Sequence, residues 1–241
     1  MTKPGEGASA VPESPIEAVV AGMQERLDRL PPSSRHLGVF LSTYQRTTKA
    51  VGEAVEKAAF EDPGWVQRWD VVFANLYLTA LDAELTGDEK PSRPWRTAFA
   101  APPDLPPLRH VLLGINAHVN YDLPQALLAV ISDDDFSDPP LVNRRRRDSR
   151  RIDTVLSSRV AAEDDELTAI GGATILDRLL TPLNRLGSQR FLREAREKVW
   201  HNTLELHSSR IAGPQEYAVR LAELEVLSAA KIVDLLRPGQ V

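Results

Sequence analysis

Residues Arg109–Ile131 read RHVLLGINAHVNYDLPQALLAVI, and between Val111 and Ile131 the only formal charge is Asp122. At about 100° per residue, the apolar side chains of Val111, Leu112, Leu113, Ile115, Val119, Leu123, Leu127 and Leu128 point in nearly every direction. A helix that is apolar all round is a buried helix. This one also carries His110, Asn116, His118, Asn120 and Asp122, polar groups that need partners if they are buried. The stretch is therefore expected to be the central helix of the molecule and the place where a site would form. Pro124 lies inside the helical pattern and is expected to kink it one turn back, near Asn120.

The surrounding chain fits that frame. It has 241 residues, 42% of them apolar and 26% charged, the composition of an ordinary soluble globular protein with a substantial core. A net charge of −5 argues against a general nucleic-acid binder. The absence of cysteine excludes disulfides and thiolate metal sites. Residues 1–14 have no apolar signal core and read as a disordered leader, which predicts a cytoplasmic protein with one domain over 15–241. No membrane span is expected, because the central stretch holds two Asn, a His and an Asp at its middle.

Strand signals are almost absent, whereas helix starts are frequent, with Pro behind a capping residue. Ser14-Pro15 opens a first helix ending near Leu30. Ser33 or Ser34 opens a second, to about Phe60, and Asp62-Pro63 a third, to about Leu85 before Gly87. Residues 87–107, with six prolines, read as an irregular connection to the central helix. Asp138-Pro139 opens a fifth helix through about Ala162. Leu167–Leu180 is a sixth, Ser188 caps a seventh to about Ile211, and Gly213-Pro214 starts the last, which ends before Pro238. The fold class is all-α: one bundle of about eight helices around 109–131.

Several constellations could carry chemistry. His110, Gly114, His118 and Asp122 are spaced i, i+4 and trace one stripe. An imidazole and a carboxylate one turn apart can share a divalent metal such as zinc, or form a hydrogen bond that tunes a general base. The structural alternative is a buried pair that satisfies itself. Gly114 leaves room for another helix or a ligand to approach. Asn116 and Asn120 lie opposite and could bind substrate or brace the backbone around Pro124.

Residues 144–151 hold six arginines, too many for one face, so some should turn inward and one should pair with a carboxylate on another helix. Guanidinium forks suit phosphate and carboxylate groups, and Asp148 inside the run could complete a shell with His118 and Asp122. Asp133-Asp134-Asp135 with Asp138 has the look of a magnesium–diphosphate site of the terpene-cyclase kind, although acidic groups are favourable at any helix start. Trp65, Trp69, Phe73 and Tyr77 form an aromatic ladder that is either core or pocket wall. Glu197, His201 and Glu205 share one side of the seventh helix, as metal ligands or as a solvated face.

The segment GINAHVNYDLP (Gly114–Pro124) resembles the hallmark of an uncharacterised family of bacterial, mostly actinobacterial, all-helical proteins. Trp69–Tyr77, Asp148 and the R-x3-W element Arg196–Trp200 resemble further family elements, over roughly residues 33–235. The family pattern has Asn where this chain has Asp153. The resemblance implies a helical fold with His118 and Asp122 as family features, and it brings no activity. Two functions follow as expectations. One is a metal-assisted hydrolase or acid–base enzyme acting on a small anionic substrate, with His118, Asp122 and Asp148 as ligands or catalytic groups and Asn116, Asn120 and Arg196 holding substrate. The other is a non-catalytic helical domain that binds a ligand or a protein.

Overall fold

A computed structural model describes residues 14–168 and 182–237, with side chains at 14–152, 154–155 and 197–237. Every regular element among the described residues is a helix, with no strand among them. Helix α1 (Pro15–Arg29) opens on a capping box in which Ser14 and Glu17 bond each other's backbone N–H. A short 3₁₀ turn (Pro32–Ser34) leads into α2 (Leu37–Glu56). Helix α3 (Pro63–Thr86) starts behind the Asp62 side chain and stops at Gly87, whose φ of 73° is left-handed. The proline-rich connection holds a helix that the sequence reading missed, α4 (Arg93–Phe99).

The central stretch divides into α5 (Pro107–Ala117), a π turn (His118–Asp122) and α6 (Leu123–Val130). A single turn, α7 (Asp133–Phe136), precedes α8 (Pro139–Thr168), then come α9 (Pro182–Ala212) and α10 (Pro214–Leu236). Helix α9 begins at Pro182, so Ser188 is inside it and is not its cap. The helix expected over Leu167–Leu180 falls beyond Thr168, outside the described residues, as does the leader before Ser14.

No residue from His110 to Leu128 is exposed. The upper half of the stretch packs into one apolar cluster, where Leu113 and Ala117 meet Leu41, Tyr77, Leu81 and Trp95. The lower half packs into another, where Leu123, Leu127 and Ile131 meet Trp65, Trp69, Val142 and Trp200. Each fully buried aliphatic side chain is worth about 1.5–3 kcal/mol, so the stretch is anchored from both ends. The π turn lies at the junction of the two clusters. No helix among the described residues is long and apolar enough to cross a membrane.

Candidate functional site

Pro124 causes the local geometry. It has no N–H and its ring would strike the carbonyl four residues back, at Asn120, in a regular helix. The chain widens here: the Leu123 N–H reaches back five residues to the His118 carbonyl. Single π turns of this kind occur frequently at functional sites. The wide turn brings His118 and Asp122, about 40° apart on a regular helix, into a hydrogen bond of 2.9 Å between Nδ1 and Oδ2.

The same Oδ2 accepts the indole N–H of Trp95 at 2.8 Å. The indole can only donate, so Oδ2 accepts there; with Asp122 ionised, the tautomer that completes the pair carries its proton on Nδ1 and its lone pair on Nε2. His118 and Asp122 are only 3% and 2% exposed. Burial pulls the His118 pKa below its ordinary value against the opposing pull of Asp122, which keeps the ring neutral. Burial pushes Asp122 upward, and its bonds to His118 and Trp95 oppose that shift.

Aromatic rings enclose the imidazole. Phe73 stacks on it at 3.6 Å between centroids and 5° between planes, and Tyr44 meets it edge-on at 4.5 Å. Phe40, Tyr77 and Trp95 stand at 6.1, 5.9 and 5.9 Å. The aromatic ladder of α3 thus divides its work: Trp65 stacks on Trp69 in the core, while Phe73 and Tyr77 wall the histidine.

Within this chamber His118 Nε2 and the Tyr77 hydroxyl are buried without a hydrogen-bond partner. Nearby on α3, Asp70 has a buried, unpartnered Oδ2, and burial pushes its pKa up to about 7. It interacts electrostatically with Tyr44, whose hydroxyl is shifted well upward by burial first and by Asp70 second. Gly114 makes room for Phe40 of α2: a Cβ there would clash with the Phe40 ring.

The other expected site residues lie elsewhere or look inward. Asn116 donates to the Leu112 carbonyl at 2.8 Å, and Asn120 donates to Asn116 at 3.1 Å, a chain of bonds along their own helix. Asp148, fully buried, accepts the backbone N–H groups of Glu61 and Asp62 at 2.7 and 2.9 Å. It closes the N-terminus of α3. Phe73, which stacks on His118, is eleven residues further along, about 16 Å at 1.5 Å per residue. Asp148 is therefore not a third member of the His118 site. The side chain of Arg196 lies outside the described residues, as does that of Asp153.

The arginine run splits as its density requires. Arg145 is buried, paired with Asp62 and set over Trp65 at 4.8 Å. Arg147 makes two 2.9 Å bonds to Glu61, Arg151 pairs with Glu61 and Asp148, and Arg146 lies over Trp200. Asp133 in the acidic cluster is taken by His207 and Arg210. Glu197, His201 and Glu205 are exposed.

A metal ion does not fit between His118 and Asp122. Their facing atoms share one hydrogen bond, Oδ2 already holds a second donor, and no group of three His, Cys, Asp or Glu able to hold a metal occurs among the described residues. The sequence reading missed Trp95, Tyr44 and Asp70. The Ser92-Arg93-Pro94 start signal would have placed Trp95 on a helix, and Phe40, Tyr44 and Thr48 at i, i+4, i+8 form one stripe of α2.

The fold and this site define an all-helical domain built around a buried, aromatic-walled His–Asp pair on a π turn. The chain belongs to a family of unknown function (DUF5995), which it matches over residues 16–238. No curated protein and no solved structure matches it.

Proposed function

We propose that the His118–Asp122 pair is an acid–base site acting on a small neutral molecule. The supporting observation is the unpartnered Nε2 of a neutral, fully buried imidazole whose Nδ1 is bonded to a carboxylate held by Trp95. In that arrangement the carboxylate fixes the tautomer and stabilises the imidazolium formed when Nε2 takes a proton. The aromatic walls favour a flat or apolar substrate with one polar group. The guanidiniums of Arg145, Arg147 and Arg151 are bound to carboxylates elsewhere, which takes them out of any anion site and supports a neutral substrate.

Access runs past Phe40, Tyr77 and Trp95, which border both the imidazole and a small cavity of about 20 Å³. A substrate larger than water reaches Nε2 only when the rings packed around the imidazole part. That closed packing favours a second reading, a dyad that only specifies how the central helix seats in a non-catalytic domain.

Hydrolysis of p-nitrophenyl acetate by the full chain separates the two readings. The wild type is expected to show a turnover that rises with pH through a midpoint below the ordinary histidine value of about 6.5. His118→Gln should abolish it and His201→Gln, on the exposed face of α9, should not. Equal rates in wild type and His118→Gln would leave the scaffold reading standing.

A further inference from the structure

Helix α10 is apolar on two faces. Leu224, Ser228, Ala229 and Ile232 are buried on the face that packs against the bundle. The large apolar side chains exposed among the described residues are Ile211, Val219, Val226, Leu227 and Val233, and all but Ile211 stand on the other side of this one helix. Val219, Val226 and Val233 follow one another at seven-residue spacing, which is two turns, so they form a stripe along the helix. Ala222 and Ala230, also exposed, fill the turns between them. A helix that is apolar all round belongs in an interior, and an exposed apolar stripe marks a surface that another chain covers.

The charges beside the stripe point to the identity of that chain. At about 100° per residue, Glu216, Arg220, Glu223, Lys231 and Asp234 all lie to one side of Val226. Their signs invert about the middle of the helix. Glu223 and Lys231 stand four residues either side of Leu227, and Arg220 and Asp234 seven residues either side. Glu216 and Arg237 lie beyond them toward the two ends. When two identical helices pair antiparallel about a two-fold axis, each flank meets its own copy, and each residue meets the one an equal distance beyond the centre. Glu223 then faces Lys231 of the second copy, and Arg220 faces its Asp234, each contact occurring twice. Parallel pairing would set this flank against the opposite one, and a foreign helix would not require signs that invert.

We propose that α10 is the contact through which two copies of this chain pair, antiparallel, about a two-fold axis near Val226 and Leu227. Arg220 bonds Glu223 at 3.0 Å and Arg237 bonds Asp234 at 3.3 Å within the chain. Such exposed pairs contribute little alone, and both are placed to extend into a network across the interface. Glu216, Val219, Arg220 and Glu223 also line an open groove of about 450 Å³. The antiparallel copy brings Lys231 and Val233 to that end of the helix, a cation toward two carboxylates and a valine toward a valine.

The test is sedimentation velocity of the full-length chain, wild type and variants, at concentrations up to about 100 µM, where even a micromolar dimer is formed. The wild type is expected to be a dimer. Val226→Glu, which sets two carboxylates together at the axis, should leave a monomer with an unchanged circular dichroism spectrum. Glu223→Lys should weaken the dimer about tenfold or more, because symmetry doubles the repulsion against Lys231. Adding Lys231→Glu to it should recover most of the lost affinity. Three results overturn the assignment: a wild type that stays monomeric, a dimer as tight in Val226→Glu as in wild type, or a double variant no tighter than Glu223→Lys. The first would leave the stripe to a different partner, the second would place the dimer on another face, and the third would mean another register. None of them bears on His118, whose role is tested by ester turnover.

Discussion

Asp122→Asn keeps the size of the side chain and one acceptor oxygen, and removes the charge. In the wild type one carboxylate oxygen accepts from His118 at 2.9 Å and from Trp95 at 2.8 Å. A hydrogen bond to a charged group is worth about 1.5–3 kcal/mol and a neutral one about 0.5–1.5 kcal/mol. Making both bonds neutral therefore costs about 2–3 kcal/mol. Burial already disfavours the Asp122 charge, so losing it returns part of that sum and the upper figure is a ceiling. At about 2–4 °C per kcal/mol for a domain of this size, the melting temperature should fall by about 4–12 °C. The assay is thermal unfolding by circular dichroism at pH 7.5, wild type against mutant, each with and without EDTA. The gap between the two proteins should be the same in both buffers. A gap that closes in EDTA would mean that His118 and Asp122 share a metal, and a mutant as stable as the wild type would mean that the pair holds nothing together.

Gly114→Ala would set a Cβ against the packed Phe40 ring; chemical denaturation should show a loss of about 1–3 kcal/mol, the usual cost of overpacking. Asp70 ionises at about 7 in the fold against an ordinary 3.8. The native state therefore keeps a proton that the unfolded chain has released, and the stability this confers is complete below about pH 4 and lost as pH rises through 7. At pH 8 the shift costs about 4 kcal/mol at 1.36 kcal/mol per unit, so Asp70→Asn should melt higher than wild type at pH 8, with a smaller gain at pH 5. Asp148→Asn turns an amide NH₂ toward the backbone donors of Glu61 and Asp62 and strips Arg151 of its buried partner; a loss of about 3–5 kcal/mol is expected, with the His118 resonances unmoved.

How much of this was legible from the residues differs from place to place. The central helix was legible because a run with one charge can only be interior, and His118 with Asp122 followed from their i, i+4 spacing. Pro124 marked the right turn for a distortion, but the form it takes, a widened turn, depends on what packs around it, and here both ends are anchored in separate clusters. The helix carrying Trp95 was hidden by the prolines around it, although Ser92-Arg93-Pro94 has the punctuation used to open α1 and α3. Asp148 could not have been placed from its neighbours. Its partners are backbone N–H groups 86 and 87 positions away, which no side-chain pattern records. The arginine run was read correctly as too dense for one face, but the carboxylates that absorb it, Asp62 and Glu61, sit at the start of α3 and appear in the sequence as an ordinary cap.

The most direct test of the acid–base site is the ¹⁵N spectrum of His118 followed from pH 8 to pH 5. A neutral ring is expected, with the proton on Nδ1 and a bare Nε2, and a midpoint below the ordinary histidine value of about 6.5. An imidazolium still present at pH 8, or a neutral ring with its proton on Nε2, would contradict it, because no lone pair would then face the chamber.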